Sequence, residues 1–223
     1  MKKVVTVKRR ALEANEERAQ ALRDRFAKSK TLVVNLISSP GSGKTTLLEA
    51  TVRGLEGELS CAVLEGDVAT ENDADRIRAL GVPAHQILTG GSCHLDARQV
   101  EGGLSAGNLP DVDILFIENV GNLICPTTYD LGEDFKVVVL SVAEGDDKPV
   151  KYPAIFSRAE VAVISKSDLL PHVPFDLDSV RSQITSLNPD GTILVTASLT
   201  GEGIDGWLDL LRQWFATKRR ATQ

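Results

Sequence analysis

Short apolar runs alternate with longer amphipathic stretches along almost the whole chain. The first run, residues 32–37, ends at a Ser-Ser-Pro-Gly turn and is typical of a buried strand. Further strand-like runs lie at residues 61–65, 84–88, 112–117, 136–142, 160–164 and 192–196. Helix-like stretches lie between most of them, at residues 45–56, 70–80, 95–106, 176–187 and 204–217. Strands that alternate with helices form βαβ units, so the pattern predicts an α/β fold with a mostly parallel sheet flanked by helices.

A further amphipathic stretch precedes the first strand. Residues 9–28 are rich in Ala, Glu, Arg and Leu, and their apolar positions recur at helical spacing, which predicts an N-terminal helix. The recurring positions are Leu12, Ala19, Leu22 and Phe26. Because no Pro-, Gly- or Ser-rich linker divides the rest of the chain, we expect an N-terminal amphipathic helical segment at residues 1–30 and one α/β domain at residues 31–223.

Composition narrows the classes of protein that remain possible. The 223 residues carry a formal net charge of -6, and 42% of them are hydrophobic. This acidic balance argues against a nucleic-acid partner, and no apolar run approaches the ~18 residues of a membrane-spanning helix. Three widely spaced cysteines do not form a disulfide framework. We therefore expect a cytoplasmic protein that has no membrane partner.

A phosphate-binding loop follows the first predicted strand. Residues 38–45 match the P-loop pattern G-x-x-x-x-G-K-[ST], except that Ser38 replaces the first Gly. Small residues let the backbone N–H groups turn toward phosphates, and the helix that follows adds a partial positive charge. Lys44 is expected to reach the β- and γ-phosphates, and Thr45 to bind Mg²⁺. The predicted nucleotide-binding residues of this loop are Gly41, Ser42, Gly43, Lys44, Thr45 and Thr46.

Two later segments indicate that the base is guanine. Residues 165–168 read Ser-Lys-Ser-Asp after a predicted strand and are similar to the N-K-x-D motif of G proteins. Asp168 can accept hydrogen bonds from guanine N1–H and the 2-amino group, which adenine does not offer together, and Lys166 can cover the base face. Ser165 replaces Asn, which leaves one contact open, and the alternative is an exposed strand-end turn. Ala197 lies in Thr-Ala-Ser, which is similar to the S-A-K loop whose N–H meets guanine O6.

Acidic residues follow two of the strand-like runs. Ligands in open α/β sheets lie beyond the carboxyl ends of the strands, where both Asp67 and Glu118 fall. With Thr45 they are candidate Mg²⁺ ligands, and Gly121 in Glu-Asn-Val-Gly is a candidate γ-phosphate sensor. The alternative for either acid is a cap of the following helix. The predicted catalytic residues are Lys44, Thr45, Asp67 and Glu118.

Two thiols and one imidazole form a possible soft-metal site. Cys93, His94 and Cys125 suit Ni²⁺ or Zn²⁺, although their spacing is not a C-x-x-C pattern. Three ligands leave such a site incomplete, and a symmetric dimer can complete it. The residues alone also allow the two cysteines to be small buried hydrophobes and His94 to be a helix N-terminal residue.

Together these motifs resemble the HypB family, the GTPases that assist nickel insertion into nickel–iron hydrogenase. The resemblance covers nearly the whole chain. It is carried by residues 38–47, 66–67, 72–73, 93–97, 118–123, 125–126, 144–149 and 151–153.

The resemblance implies a SIMIBI-class P-loop GTPase domain at residues 31–223 that uses GTP/GDP, Mg²⁺ and Ni²⁺ or Zn²⁺. It also implies that Cys93, His94 and Cys125 are metal ligands. We expect slow turnover, because the sequence offers no clear residue to position the attacking water. The implied partners are a second copy, in a homodimer promoted by GTP, a nickel-binding accessory protein and the hydrogenase large subunit. The chain has neither the N-terminal cysteine motif nor the histidine-rich tract of some members, so we expect it not to store nickel.

Other classes of protein remain open at this point. One is the urease-type nickel-insertion GTPase, which is expected to show Cys-Pro-His where this chain has Cys93 and His94. Another is a P-loop kinase that phosphorylates a small molecule, although no clear lid segment is present. The third is a metal-binding scaffold that is indifferent to nucleotide.

Overall fold

One parallel sheet forms the centre of the fold. The structure is a computed structural model that describes residues 2–67 and 72–221, with the backbone alone for residues 2–8. Its strands are β1 (Leu32–Ser38), β2 (Cys61–Asp67), β3 (Ala84–Leu88), β4 (Ile114–Glu118), β5 (Phe135–Ser141), β6 (Val161–Ser165) and β7 (Thr192–Val195). They pair in parallel in the order β3-β2-β4-β1-β5-β6-β7. The carboxyl ends of β1, β2 and β4 therefore lie side by side.

Helices cover both faces of the sheet. They are α1 (Lys2–Ser29), α2 (Lys44–Gly54), α3 (Asn72–Arg78), α4 (Ala97–Ala106), α5 (Lys148–Lys151), α6 (Pro153–Phe156), α7 (Leu177–Leu187) and α8 (Ile204–Ala221). Side chains of α2 and α8 pack with Leu32, Val34 and Leu36 of β1. On the other face α1 and α4 pack with Val33, and α6 and α7 pack with Ile37. Successive side chains of β1 thus pack against the helices on opposite faces, as a sheet covered on both faces requires.

The predicted fold class is confirmed, including the parallel sheet and the N-terminal helix. All seven predicted strands are present, and β4 begins two residues later than predicted. Helix α1 is longer than the predicted residues 9–28, and residues 70 and 71 of another predicted helix lie outside the described residues. Sequence periodicity missed α5 and α6 because a four-residue helix is too short to show a period. The division at residue 30 stays a prediction.

Within residues 2–67 and 72–221, no helix combines the length and the apolar character needed to cross a bilayer.

Candidate functional site

The loop between β1 and α2 has the backbone of an anion cradle. Gly41 and Gly43 adopt φ angles of 76° and 94°, in the left-handed region that favours glycine. Gly43 is also the residue before the 11-residue helix α2, so the loop ends at a helix N-terminus. The backbone N–H groups and the helix dipole together favour a bound phosphate here.

Lys44 is held beneath this loop. Its side chain is buried, and Nζ donates a hydrogen bond of 2.8 Å to Ser38 Oγ. The same nitrogen lies 3.7 Å from a carboxylate oxygen of Glu118. Ser38, which replaces the usual glycine, therefore gives the lysine a hydrogen-bond acceptor at the end of β1.

Thr45 and the acidic residues meet at adjacent strand ends. Thr45 Oγ1 lies 3.1 and 3.2 Å from the two carboxylate oxygens of Glu118. Asp67 ends β2 and lines a cavity that Lys44 and Thr45 also line. Glu118 leads into an irregular segment, so it caps no following helix and the cap interpretation is wrong for this residue. For Asp67 the cap stays an alternative, because residues 68–71 lie outside the described residues.

Glu65 is a site residue that the sequence analysis missed. It pairs in register with Glu118 across β2 and β4, and only 2% of it is exposed. Burial, together with the Glu118 carboxylate, raises the pKa of Glu65 well above its usual value, while Lys44 opposes the rise. Burial also raises the pKa of Glu118, so the two neighbouring carboxyl groups titrate as a pair that favours holding a proton. A glutamate inside an apolar strand run was the signal that could have revealed Glu65.

A cavity of about 450 Å³ joins these groups. Most of the predicted nucleotide and Mg²⁺ residues line it, whereas Ser42, Asp168 and Ala197 do not. The lining residues are Pro40, Gly41, Gly43, Lys44, Thr45, Thr46, Glu65, Gly66, Asp67, Asp73, Arg76, Glu118, Asn119, Val120, Gly121 and Lys166. The volume is within the range of small-molecule sites.

Arg76 of α3 is another lining residue that sequence reasoning missed. Its guanidinium makes two hydrogen bonds to Glu49, of 2.9 and 3.0 Å, and lies 3.2 Å from Asp73. It also donates to Thr46 Oγ1 at 3.3 Å. The hydrogen bond to Glu49 raises the pKa of Arg76, so this cation at the cavity edge stays charged.

The last residue of β6 and the residue after it contact the P-loop. Ser165 Oγ donates a hydrogen bond of 2.6 Å to the Ser42 carbonyl, so the residue that replaces Asn keeps a contact with the loop. Lys166 Nζ donates to the Gly41 carbonyl at 2.6 Å. Asp168 is exposed, and the Ala197 N–H donates to the Glu202 carbonyl at 2.9 Å. The guanine contacts of Asp168 and Ala197 stay predictions.

The structure brings the three predicted metal ligands together. Cys93 Sγ lies 3.0 Å from Cys125 Sγ and 3.7 Å from His94 Nδ1, and one ligand atom from each residue falls within 4.8 Å of the others. Metal–ligand bonds of about 2.0–2.3 Å can span such separations. Because Cys93 is exposed, the interpretation of this cysteine as a buried hydrophobe is wrong.

The surroundings set the protonation of these ligands. The S–H···S hydrogen bond with Cys125 raises the pKa of the Cys93 thiol, and partial burial lowers the pKa of His94. The imidazole is therefore neutral and ready to bind a metal near neutral pH, whereas Cys93 must lose its proton on binding. The Tyr129 ring packs on the His94 ring, with the ring centres 3.9 Å apart and the planes tilted by 33°, and Asn122 Nδ2 donates to the Cys93 carbonyl at 3.1 Å.

Asn119 connects the nucleotide cavity to the metal ligands. Its Oδ1 accepts from the N–H of Leu95, the residue after His94, at 3.1 Å and from the N–H of Val120 at 3.0 Å. The next residue, Gly121, lies so close to the P-loop that an added Cβ would be 2.8 Å from a side-chain atom of Pro40. The segment after β4 therefore touches both the P-loop and the loop that carries Cys93 and His94.

Comparisons with known proteins agree with this geometry. Residues 32–195 match the family model described as CobW/HypB/UreG, nucleotide-binding domain. The chain is 50% identical over 210 residues to hydrogenase maturation factor HypB of Escherichia coli strain K12, covering 94% of this chain and 71% of that protein. It is 41% identical over 214 residues to hydrogenase/urease maturation factor HypB of Helicobacter pylori, covering 94% and 88%. The crystal structure of HypB from Helicobacter pylori in complex with nickel has a TM-score of 0.86 at 40% identity, covering 94% and 97%.

The glycine-rich cradle at α2, the buried lysine and the acids at neighbouring strand ends define a P-loop nucleotide-binding protein with a GTPase fold. The chain belongs to the HypB family of hydrogenase maturation factors, within the CobW/HypB/UreG nucleotide-binding domain family. Membership confirms the resemblance drawn from the sequence, and it supports GTPase activity in general.

Proposed function

We propose that the protein binds and slowly hydrolyses GTP at the P-loop and carries nickel at Cys93, His94 and Cys125 for insertion into hydrogenase. The observation that carries this proposal is the Asn119 carboxamide, which hydrogen-bonds to the backbone beside both sites. Movement at the carboxyl end of β4 can reach the metal loop through this one side chain. The nucleotide state then alters the geometry of the metal ligands, and hydrolysis releases the ion to a partner.

The nucleotide half of the proposal rests on the lining of the cavity. The flexible stem of Lys44 lets its ammonium leave Ser38 and reach the phosphates. Thr45, Asp67 and Glu118 offer oxygen donors that fit Mg²⁺, which when bound neutralises phosphate charge. We expect slow turnover, because Arg76, the arginine among the described lining residues, is already held by two carboxylates.

The metal half rests on the chemistry of the donors. Two thiols and an imidazole suit Ni²⁺ or Zn²⁺, and three ligands leave at least one coordination position open. An exposed Cys93 lets an ion enter and leave without opening the core. We treat Ni²⁺ as the cargo and Zn²⁺ as its competitor. An open and exposed site favours transfer of the ion over its storage.

We further propose a homodimer that GTP promotes. Two exposed apolar side chains support it: Ile124, which is 64% exposed and precedes Cys125, and Leu88, which is 55% exposed at the end of β3. A two-fold axis near these residues brings the same metal loops of both copies together, so the second copy can complete the coordination. We propose a nickel-binding accessory protein and the hydrogenase large subunit as the partners in delivery. The name of the Helicobacter pylori relative favours urease as a further destination in some members of the family.

The substitution Asp168→Asn tests whether Asp168 recognises the guanine base. The substitution should shift turnover from GTP toward XTP, because an amide can donate to the 2-oxo group of xanthine where the carboxylate accepted from the 2-amino group of guanine. The preference for GTP over XTP, measured as kcat/KM, should fall by about 100-fold or more. The assay follows free phosphate with no acceptor added.

Two outcomes of this assay contradict the proposal. If Asp168→Asn keeps the full preference for GTP, the assigned base contact is wrong. If the wild-type protein releases phosphate only when a small-molecule acceptor is present, the protein is a P-loop kinase. Asp178→Asn, at an acidic residue in the first turn of α7, is the matched control and should leave the preference unchanged.

A further inference from the structure

Helix α1 places a polar side chain in an otherwise apolar stripe. Ala19, Leu22 and Phe26 are buried along one side of the helix and pack on the sheet. Asn15 continues this stripe four residues earlier and is only 7% exposed. An apolar side chain is expected at such a position, since a buried amide costs free energy unless its hydrogen bonds are made.

Both ends of the Asn15 carboxamide are hydrogen-bonded to backbone. Oδ1 accepts from the Ala97 N–H at 2.9 Å, and Nδ2 donates to the Asp130 carbonyl at 2.8 Å. The orientation of the amide is fixed, because a backbone N–H can only donate and a carbonyl can only accept. A leucine here would leave both backbone groups without these partners.

The two backbone groups belong to the two segments that carry the metal ligands. Ala97 begins α4 three residues after His94, and Asp130 follows Tyr129, whose ring packs on His94. Cys125 begins the short 3₁₀ helix that leads to Tyr129. One side chain of α1 therefore ties the segment of Cys93 and His94 to the segment of Cys125.

We propose that Asn15 is a positioning residue of the Cys93–His94–Cys125 metal site, which makes the N-terminal helix a structural part of that site. The proposal rests on the metal role given to these three residues in the proposed function. By holding the two segments in register, Asn15 keeps the sulfur atoms and the imidazole close before a metal arrives. Groups hydrogen-bonded directly to metal ligands typically affect metal affinity by about 10–100-fold, and we expect the lower end of that range because Asn15 acts through the backbone beside the ligands.

The test compares Asn15→Leu with a control on the same helix. Arg18→Ala removes an exposed ion pair of 2.8 Å to Glu101, in the second turn of α4, so it loosens α1 from α4 but leaves the hydrogen bonds to Ala97 and Asp130 in place. Each protein is titrated with Ni²⁺, following the thiolate-to-nickel absorption band. Asn15→Leu should lower nickel affinity by about 10-fold or more and alter the band, whereas Arg18→Ala should leave both unchanged. Asn15→Asp, which keeps an acceptor for Ala97 but loses the donor to Asp130, should also weaken binding and serves if the leucine variant does not fold.

A second readout needs no metal. Diamide oxidises a pair of thiols to a disulfide and itself takes up two electrons and two protons. The rate at which the Cys93–Cys125 disulfide forms reports how often the two sulfur atoms meet. This rate should fall several-fold in Asn15→Leu and stay unchanged in Arg18→Ala.

The outcomes distinguish failure of the Asn15 proposal from failure of the metal site itself. Wild-type nickel affinity, band and disulfide rate in Asn15→Leu would overturn the positioning role, and so would equal losses in Arg18→Ala. Cys93→Ala is titrated alongside. If it keeps the wild-type stoichiometry, the metal site itself is wrong. If it loses nickel while Asn15→Leu does not, only the role of Asn15 is rejected.

Discussion

Lys44→Ala should reduce GTP hydrolysis by at least about 100-fold, because it removes the positive charge that meets the β- and γ-phosphates. In the structure this ammonium is buried between Ser38 Oγ and the Glu118 carboxylate, so it is already inside the cavity where the phosphates would lie. The measurement is phosphate release under saturating GTP and Mg²⁺, together with the affinity for GDP.

The alanine variant also leaves Glu118 without its nearby cation. Burial raises the pKa of Glu118 above its usual value and Lys44 opposes this rise, so Glu118 should take up a proton more readily in the variant. A thermal melt therefore accompanies the assay, to show that the loss is not one of folding. Lys28→Ala, at an exposed lysine of α1, is the control and should hydrolyse GTP normally. Undiminished hydrolysis by a folded Lys44→Ala protein would refute the assignment of the P-loop.

Cys93→Ala should lower nickel affinity by about 100-fold or more, which exceeds the usual effect of changing a group that only orients a ligand. Cys93 is the member of the site whose sulfur lies near both other donors, 3.0 Å from Cys125 Sγ and 3.7 Å from His94 Nδ1. Without the Cys93 thiol, only two of the three donors remain and one more coordination position is open. The measurement is a nickel titration with the stoichiometry read from the mass of the complex.

Cys61→Ala is the matched control for that titration. Cys61 begins β2, at the end of the strand away from the P-loop, and burial raises its pKa to about 12, so it offers no thiolate to a metal. The control should bind one nickel per site as the wild type does. Retained affinity in Cys93→Ala, or an equal loss in Cys61→Ala, would reject the assigned site.

The main features of the nucleotide site could be predicted because their signals are local. The strand of residues 32–37, the small residues of the loop and Lys44 follow one another in sequence. Asp67 and Glu118 are far apart in the chain, but both end strands, and parallel strands end at one edge of the sheet.

The metal site could be predicted only through the family resemblance. Cys93 follows β3 and Cys125 follows β4, and these strands lie on either side of β2. Their proximity depends on strand order, which the alternation of apolar runs does not give. The thiols alone were therefore compatible with a structural role as well.

The residues that sequence reasoning missed act across long separations. Asn15 and Asn119 look like ordinary polar residues in the sequence, and their meaning comes from the backbone groups of distant segments that they reach. Glu65 stood in an apolar run, but its partner Glu118 is known only from the register of β2 with β4. Such contacts are set by tertiary packing, which periodicity cannot report.

Coupling between the nucleotide and metal sites can be measured in a single titration experiment. Nickel affinity is measured for the wild-type protein with Mg²⁺ and GDP, and again with Mg²⁺ and a non-hydrolysable GTP analogue. We expect the two dissociation constants to differ by about fivefold or more, which is the lower end of typical coupling between sites. Equal nickel affinities in the two nucleotide states would contradict the proposed coupling and favour a metal-binding scaffold that is indifferent to nucleotide.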